Sequence, residues 1–227
     1  MSEAIRVAVL AGGFGSRLGT LTSNLPKPMI EVAGRPYLER VLQSFSDSGL
    51  CEFVLLTGYR SEVIEQHFGD GSSRGLRIRY SRETVPLGTG GALREARSLL
   101  GQRFVVTYGD VLRRFDYGQF VRDHDGSCLA VYPRVSIGNA AVEGGRVIRF
   151  DKKLTELPYL DAGFSLMSAE ALGLIPTHGA ASYEESVFPK LAASDSLAGE
   201  IVDHEFCDIG TPEELARTRS ILEKDRR

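Results

Sequence analysis

"AGGFGSRLGTLTSNLPKP", residues 11 to 28, follows directly on the apolar run Ile5 to Leu10. That run reads as a buried strand. Gly12, Gly13 and Gly15 then leave a loop almost bare of side chains, followed by Arg17 and by Lys27 between Pro26 and Pro28. Glycines placed after a buried strand let backbone N–H groups approach a ligand closely, most often a phosphate. An ordinary turn uses glycine in the same place. The spacing excludes two familiar phosphate loops. A P-loop needs a Lys-Ser or Lys-Thr pair after its last glycine, whereas Ser16, Arg17 and Leu18 follow Gly15. A dinucleotide fingerprint starting at Gly13 needs a small residue at Leu18, and Gly19 comes one position late. Arg17 offers a forked, permanently charged donor for phosphate oxygens. The flanking prolines restrict the backbone of Lys27 and so where its ammonium points, which suits a phosphate contact better than an exposed loop lysine.

Outward from this loop, apolar runs alternate with amphipathic stretches. Tyr37 to Phe45 has helical spacing, "CEFVLLTG" is a second strand, and "SEVIEQHF" is a helix that Ser61 can cap. "LRIRYS" alternates as a strand, "GGALREARSLL" is helical, and "RFVVTYGD" is another buried strand. This alternation predicts a parallel α/β sheet covered on both faces. Beyond residue 126 the pattern becomes "SCLAVYP", "NAAVEGGRVIRF" and "YLDAGFSLMS", strand-like segments with a hairpin turn at Gly144-Gly145. Helices are expected around Glu184 to Ala193 and Glu213 to Glu223. The expectation is one compact unit, residues 1–227, with a mixed-sheet second half.

With 227 residues, 42% of them hydrophobic, the chain can bury one sizeable core. A formal charge of -3 argues against a general nucleic-acid or membrane-surface binder. No apolar run has the length of a membrane span, and the short Val7 to Ala11 stretch does not make a secretory signal, so a cytoplasmic location is expected. Cys51, Cys128 and Cys207 match no zinc spacing and read as buried structural thiols. His67, His124, His178 and His204 share no catalytic spacing and read as surface or packing residues.

"LAGGFGSRLGTLTSNLPKPMIEVAGRPYLERVL" closely resembles the signature of the sugar-1-phosphate nucleotidylyltransferases. "PLGTGGALREA", "YGD" and "DIGTPEEL" follow in that family's order over nearly the whole chain. The resemblance implies a Rossmann-like α/β fold with a mixed central sheet flanked by helices. Its nucleotide-binding part spans about residues 1–125 and its sugar-binding part about 126–227. It also implies a reaction in which a nucleoside triphosphate and a sugar 1-phosphate give a nucleotide sugar and pyrophosphate. Two polyanions must meet, so positioning and charge neutralisation outweigh covalent catalysis.

On the family's pattern, Arg17, Lys27 and Asp110 carry catalysis, and Leu10, Gly12, Gly13, Gly15, Glu83 and Gly88 hold the nucleotide. Asp110 and Asp208 each follow an apolar stretch beside a glycine, where a turn or cap acid is common. The family places a ligand of Mg2+ at both positions, and magnesium takes one or two carboxylates while phosphates and water complete its shell. A carboxylate at Glu83 can accept from guanine N1 and N2, but also from cytosine N4. A solvated surface acid is the bland alternative there. The resemblance assigns the sugar phosphate to Gly109, Asp151, Lys153 and Asp161. Three positions depart from the family: Tyr108 stands where asparagine is frequent, Lys152 where an acid is expected, and Asp161 where asparagine is usual.

Within the family the chain resembles the short bacterial enzymes that act on D-glycero-D-manno-heptose 1-phosphate with GTP, through "PLGTGGA", "FPKL" and "DIGTPE". GTP with a heptose or mannose 1-phosphate is therefore the expected pair. Uridylyl, thymidylyl or cytidylyl transfer to a hexose 1-phosphate or another phosphate acceptor stays open, as does a non-catalytic nucleotide-sugar sensor. On the net charge of -3 and the lack of a long apolar run, no nucleic-acid or membrane partner is expected.

Overall fold

A computed structural model describes residues 4–203 and 206–224. In chain order the strands are β1 Arg6–Leu10, β2 Glu31–Val32, β3 Arg35–Pro36, β4 Glu52–Thr57, β5 Arg77–Arg82, β6 Arg103–Tyr108 and β7 Val111–Arg113. They continue with β8 Cys128–Gly138, β9 Ala140–Glu143, β10 Arg146–Phe150, β11 Leu157–Ser168, β12 Ala198–Ile201 and β13 Phe206–Asp208. The helices are α1 Tyr37–Asp47, α2 Ser61–Phe68, α3 Gly88–Glu95, α4 Arg97–Leu100, α5 Tyr117–Asp123, α6 Tyr183–Ala193 and α7 Pro212–Lys224.

Nine strands make one sheet in the order β5-β4-β1-β6-β11-β8-β12-β10-β9. The first four of these are parallel, while β11 runs antiparallel to both β6 and β8. The parallel first half and mixed second half are as the sequence predicts. Val7 and Val9 of β1 join the apolar cluster under α1, α2 and α5, while Ala8 joins the opposite cluster under α3, α4 and α6. This alternation follows from the period-2 geometry of a strand covered on both faces. Helix α1 buries Tyr37, Leu38, Val41, Leu42 and Phe45, one apolar stripe at helical spacing. Phe45 stacks on Tyr117 with ring centroids 3.7 Å apart, tying α1 to α5.

The register positions the site. Leu10 pairs with Leu56 on one side and Tyr108 on the other. The loops leaving β1, β4 and β6 therefore emerge together at the carboxyl edge of the sheet, the place where open α/β sheets bind ligands. A separate two-stranded ladder pairs β7 with β13 and sets Asp208 opposite Val111, next to Asp110.

Two expectations need adjustment. Ser61 does not cap α2: Arg60 takes the cap position with a left-handed φ of 54°, and the Ser61 hydroxyl is buried without a partner. Arg60 has no side-chain cap bond to offer, so the backbone geometry alone starts the helix. Cys51 is only half-buried, beside Ser46, although Cys128 and Cys207 are buried and all three are free thiols. His67 and His124 meet Glu39 and Glu200 at 3.1 and 3.4 Å, and His178 is exposed, while His204 lies outside the described residues. Gly144 and Gly145, with φ of 54° and 75°, make the expected hairpin between β9 and β10. Among the described residues, no helix is long and apolar enough to cross a membrane.

Candidate active site

A cavity of about 370 Å³ opens at the carboxyl edge of β1 and β6. Its floor and one wall are the glycine loop, with Leu10, Gly12, Gly13, Gly15 and Arg17. Lys27, Asp110, Tyr108, Glu83, Gly88 and Thr89 complete the lining. The structure thus brings together Arg17, Lys27, Asp110 and all six residues assigned to the nucleotide.

The glycines serve different ends. Gly15 has a φ of 64°, and a Cβ there would meet Lys27 Cβ and Thr22 Cγ2 at 2.9 Å. It is glycine so that the loop can turn left-handed and lie against the lysine stem. A Cβ on Gly13 would meet nothing within 4 Å, so this position is bare toward open space. A Cβ on Gly12 would strike Glu83 Oε1 at 2.9 Å, and one on Gly58, in the loop after β4, would strike it at 2.7 Å. Gly88 has a φ of 68°, and a Cβ there would meet the Ala181 carbonyl oxygen at 2.6 Å. Its identity is therefore required by packing as well as by its place on the cavity.

Lys27 is 8% exposed, in a short turn bounded by its prolines. Its ammonium pairs with the Asp110 carboxylate and stands 4.0 Å from Asp208 Oδ1. Segments distant in sequence thus converge as the pairing of Asp110 with Asp208 requires. Burial, then the charge of Asp110, push the Asp208 carboxyl up to about 6, against the pull of Lys27. The Gly210 N–H donates to Asp208 Oδ1 at 2.6 Å, and the Thr218 hydroxyl donates to the Asp208 carbonyl at 2.7 Å. The buried Tyr37 hydroxyl donates to the Cys207 carbonyl at 2.6 Å, fixing the same strand from α1. Arg17 is exposed and makes no ion pair among the described residues, leaving its five N–H donors for a ligand.

Among the described residues no group of three or more His, Cys, Asp and Glu side chains is poised to hold a metal. Two carboxylates at and beside this cavity, Asp110 and Asp208, nevertheless fit the chemistry of magnesium, which seldom takes a complete protein cage.

Glu83 is half-buried, and burial pushes its carboxyl above the usual range while the Leu87 N–H, donating to Oε2 at 3.1 Å, pulls it back. That bond anchors the turn into α3. Oε1 packs against the two glycines Gly12 and Gly58.

The residues assigned to the sugar phosphate lie beyond the cavity lining. Gly109 is buried and donates its N–H to the Leu10 carbonyl at 2.9 Å. Asp151 accepts the Lys153 N–H at 3.0 Å, a turn acid after β10, and the exposed Lys153 side chain makes no ion pair among the described residues. Burial pushes the Asp161 carboxyl up to about 7, although its Oδ1 accepts the Gly163 N–H at 2.8 Å.

Sequence reasoning missed Glu184, which is 3% exposed at the start of α6. It accepts hydrogen bonds from Tyr108, from Ser182 at 2.6 Å and from Thr89 at 2.8 Å, and pairs with Lys152 at 3.2 Å. Burial opposes its ionisation, but Ser182, Tyr108 and Lys152 together hold the carboxyl down to about 2. Two of the three departures, Tyr108 and Lys152, thus meet on one carboxylate. Ser182 three residues before Glu185 marks a helix start, but nothing in "SYEES" distinguishes Glu184 from its neighbour.

Residues 6–225 match the family described as "Nucleotidyl transferase". The chain belongs to that family. It is 34% identical to the mannose-1-phosphate guanylyltransferase of Mycobacterium tuberculosis, across 95% of this chain and 64% of that protein. It therefore spans less than two thirds of the length of that relative. It is 30% identical to the D-glycero-alpha-D-manno-heptose 1-phosphate guanylyltransferase of Campylobacter jejuni, across 92% of this chain and 96% of that one. In fold it is similar to HddC from Yersinia pseudotuberculosis complexed with GMP-PN, with a TM-score of 0.81, 24% identity, and coverage of 96% and 99% of the two chains. The nucleotidyl transferase fold is thus a Rossmann-like mixed sheet flanked by helices.

Proposed function

We propose that this family member transfers a nucleotidyl group from a nucleoside triphosphate to a sugar 1-phosphate, releasing pyrophosphate. The observation that carries the reading is the pairing of Lys27 with Asp110 on the lining of a glycine-walled cavity, with Asp208 4.0 Å from the same ammonium. An oxygen of the sugar phosphate attacks the α-phosphorus, the bond to the bridging oxygen breaks, and pyrophosphate leaves with that electron pair. The nucleophile is already an anion, so no general base is needed and charge neutralisation dominates. The loop amides and Arg17 hold the triphosphate, and Lys27 turns from its carboxylate partner toward phosphate oxygens. Asp110 and Asp208 would hold Mg2+, which supplies charge neutralisation and a template for the phosphates. Gly109, Asp151, Lys153 and Asp161 belong on the acceptor side.

The nucleotide is GTP and the acceptor a heptose or mannose 1-phosphate. In support, Glu83 is a lining residue of the cavity, a carboxylate able to accept from guanine N1 and N2, and relatives at 34% and 30% identity carry guanylyltransferase names. The test is pyrophosphate release with magnesium, crossing GTP, CTP, UTP, dTTP and ATP with hexose and heptose 1-phosphates. Release with GTP and one of these sugars supports the reading. Release with another nucleotide alone removes the base assignment, and silence with every pair removes the reaction.

A further inference from the structure

Tyr59, in the turn between β4 and α2, meets the glycine loop at both ends and between them. Its N–H donates to the Gly12 carbonyl at 3.4 Å, and its hydroxyl donates to the Ser23 carbonyl at 2.6 Å. Between these two anchors its ring meets that of Phe14, with centroids 5.1 Å apart. The neighbours of Tyr59 extend the contact. A Cβ on Gly58 would come within 3.1 Å of the Gly12 carbonyl oxygen, and Arg60 donates to Asn24 Oδ1 at 3.3 Å. Arg17 stands between Phe14 and Ser23 in the chain, in the helical segment Ser16–Thr22. The Thr22 hydroxyl ties that segment to the Gly15 carbonyl at 3.1 Å, and Leu18 is buried in the core. Arg17 is exposed and lines the cavity, whereas Tyr59 does not.

We propose that Tyr59 is a positioning residue for the nucleoside triphosphate, latching the glycine loop so that Arg17 is held ready for the phosphates. This inference rests on the nucleotidyl-transfer reading and extends it to a residue outside the cavity lining. A loop rich in glycine has much backbone freedom to lose when it takes up a ligand. A side chain that fixes both ends of the segment bearing Arg17 keeps the competent arrangement populated beforehand, and apparent affinity scales with that population. Removing the hydroxyl alone leaves the N–H anchor and the ring contact in place. The competent population should then fall by about fivefold, the worth of one neutral hydrogen bond.

The experiment measures binding of GTP, guanosine and inorganic tripolyphosphate with magnesium by calorimetry, in the absence of a sugar phosphate. The proteins are the wild type, Tyr59→Phe, Arg17→Ala and the double variant, with a melting curve for each. Tyr59→Phe should weaken GTP and tripolyphosphate by about fivefold and leave guanosine unchanged. Tripolyphosphate carries no base, so the comparison stands whichever nucleotide is preferred. In the Arg17→Ala background the same substitution should cost less than about twofold, because the residue through which it acts is gone. Unchanged triphosphate affinity in Tyr59→Phe overturns the inference, and a lowered melting temperature beside it marks a purely structural tyrosine. An equal loss in both backgrounds also overturns it, since Tyr59 then does not act through Arg17. Pyrophosphate release by the wild type judges the reaction separately. Release together with unchanged Tyr59→Phe binding keeps nucleotidyl transfer and removes the latch. A wild type that binds neither GTP nor tripolyphosphate removes both.

Discussion

Lys27 places its ammonium on the Asp110 carboxylate across 83 residues of chain, and 4.0 Å from Asp208. A buried lysine between two prolines is thereby balanced by the two acids assigned to the metal. The arrangement is self-consistent without ligand and exchangeable with it: when phosphates and magnesium arrive, the ammonium and the carboxylates each acquire a new partner of opposite charge.

Replacing Lys27 with Met should remove a cation aimed at the phosphates while keeping the stem that packs on Gly15. Pyrophosphate release should fall by about 10²–10³-fold, the usual cost of deleting one positioned electrostatic donor. Steady-state kinetics alongside circular dichroism measures this. A folded variant with wild-type turnover would take Lys27 out of the machinery.

Gly15→Ala and Gly13→Ala should behave oppositely. At Gly15 the methyl group meets Lys27 and Thr22 at 2.9 Å on a left-handed backbone, and about 1–3 kcal/mol of stability should be lost. At Gly13 the methyl group meets nothing, so stability should hold and triphosphate affinity should drop. Urea unfolding and nucleotide titration separate the two, and equal unfolding midpoints would contradict the packing argument.

Asp161 and Glu184 should shift stability with pH in opposite directions. The Asp161 carboxyl, raised from 3.8 to about 7 by burial, binds its proton more tightly when folded. Its contribution is fully present below pH 3.8 and is lost as pH rises toward 7. Glu184, lowered to about 2, contributes above its unfolded value of 4.5 and loses that contribution as pH falls below it. Between pH 5 and 8 the wild type should therefore lose stability relative to Asp161→Asn. Denaturant melts at both pH values check this, and parallel slopes for the two proteins would rule it out.

Tyr37→Phe should cost about 1 kcal/mol through the lost hydrogen bond to the Cys207 carbonyl. Because that carbonyl precedes Asp208, the magnesium concentration for half-maximal activity should rise more than the nucleotide KM. An unchanged magnesium requirement in the destabilised variant would confine Tyr37 to packing.

What the sequence disclosed was mostly local. The glycine loop, the prolines around Lys27 and the alternating runs of the parallel half are written in neighbouring residues, as is the Gly144-Gly145 hairpin. Other features depend on contacts far along the chain. Glu184 meets Thr89 across 95 residues and Tyr108 across 76, so no spacing rule marks it. Gly88 is glycine partly because the Ala181 backbone crosses it, a packing fact invisible in "PLGTGG". The start of α2 departs from the Ser61 cap because Arg60 adopts a left-handed conformation that residue propensities disfavour.

The most direct test of nucleotidyl transfer is the reverse reaction: incorporation of labelled pyrophosphate into GTP from GDP-mannose or a GDP-heptose with magnesium, in the wild type and in Asp110→Asn. Labelled GTP from the wild type, and about 10²-fold less or lower from the folded variant, is the predicted result. Nucleotide sugar that binds both proteins while neither forms labelled GTP would contradict the account and leave a binding protein on a transferase fold.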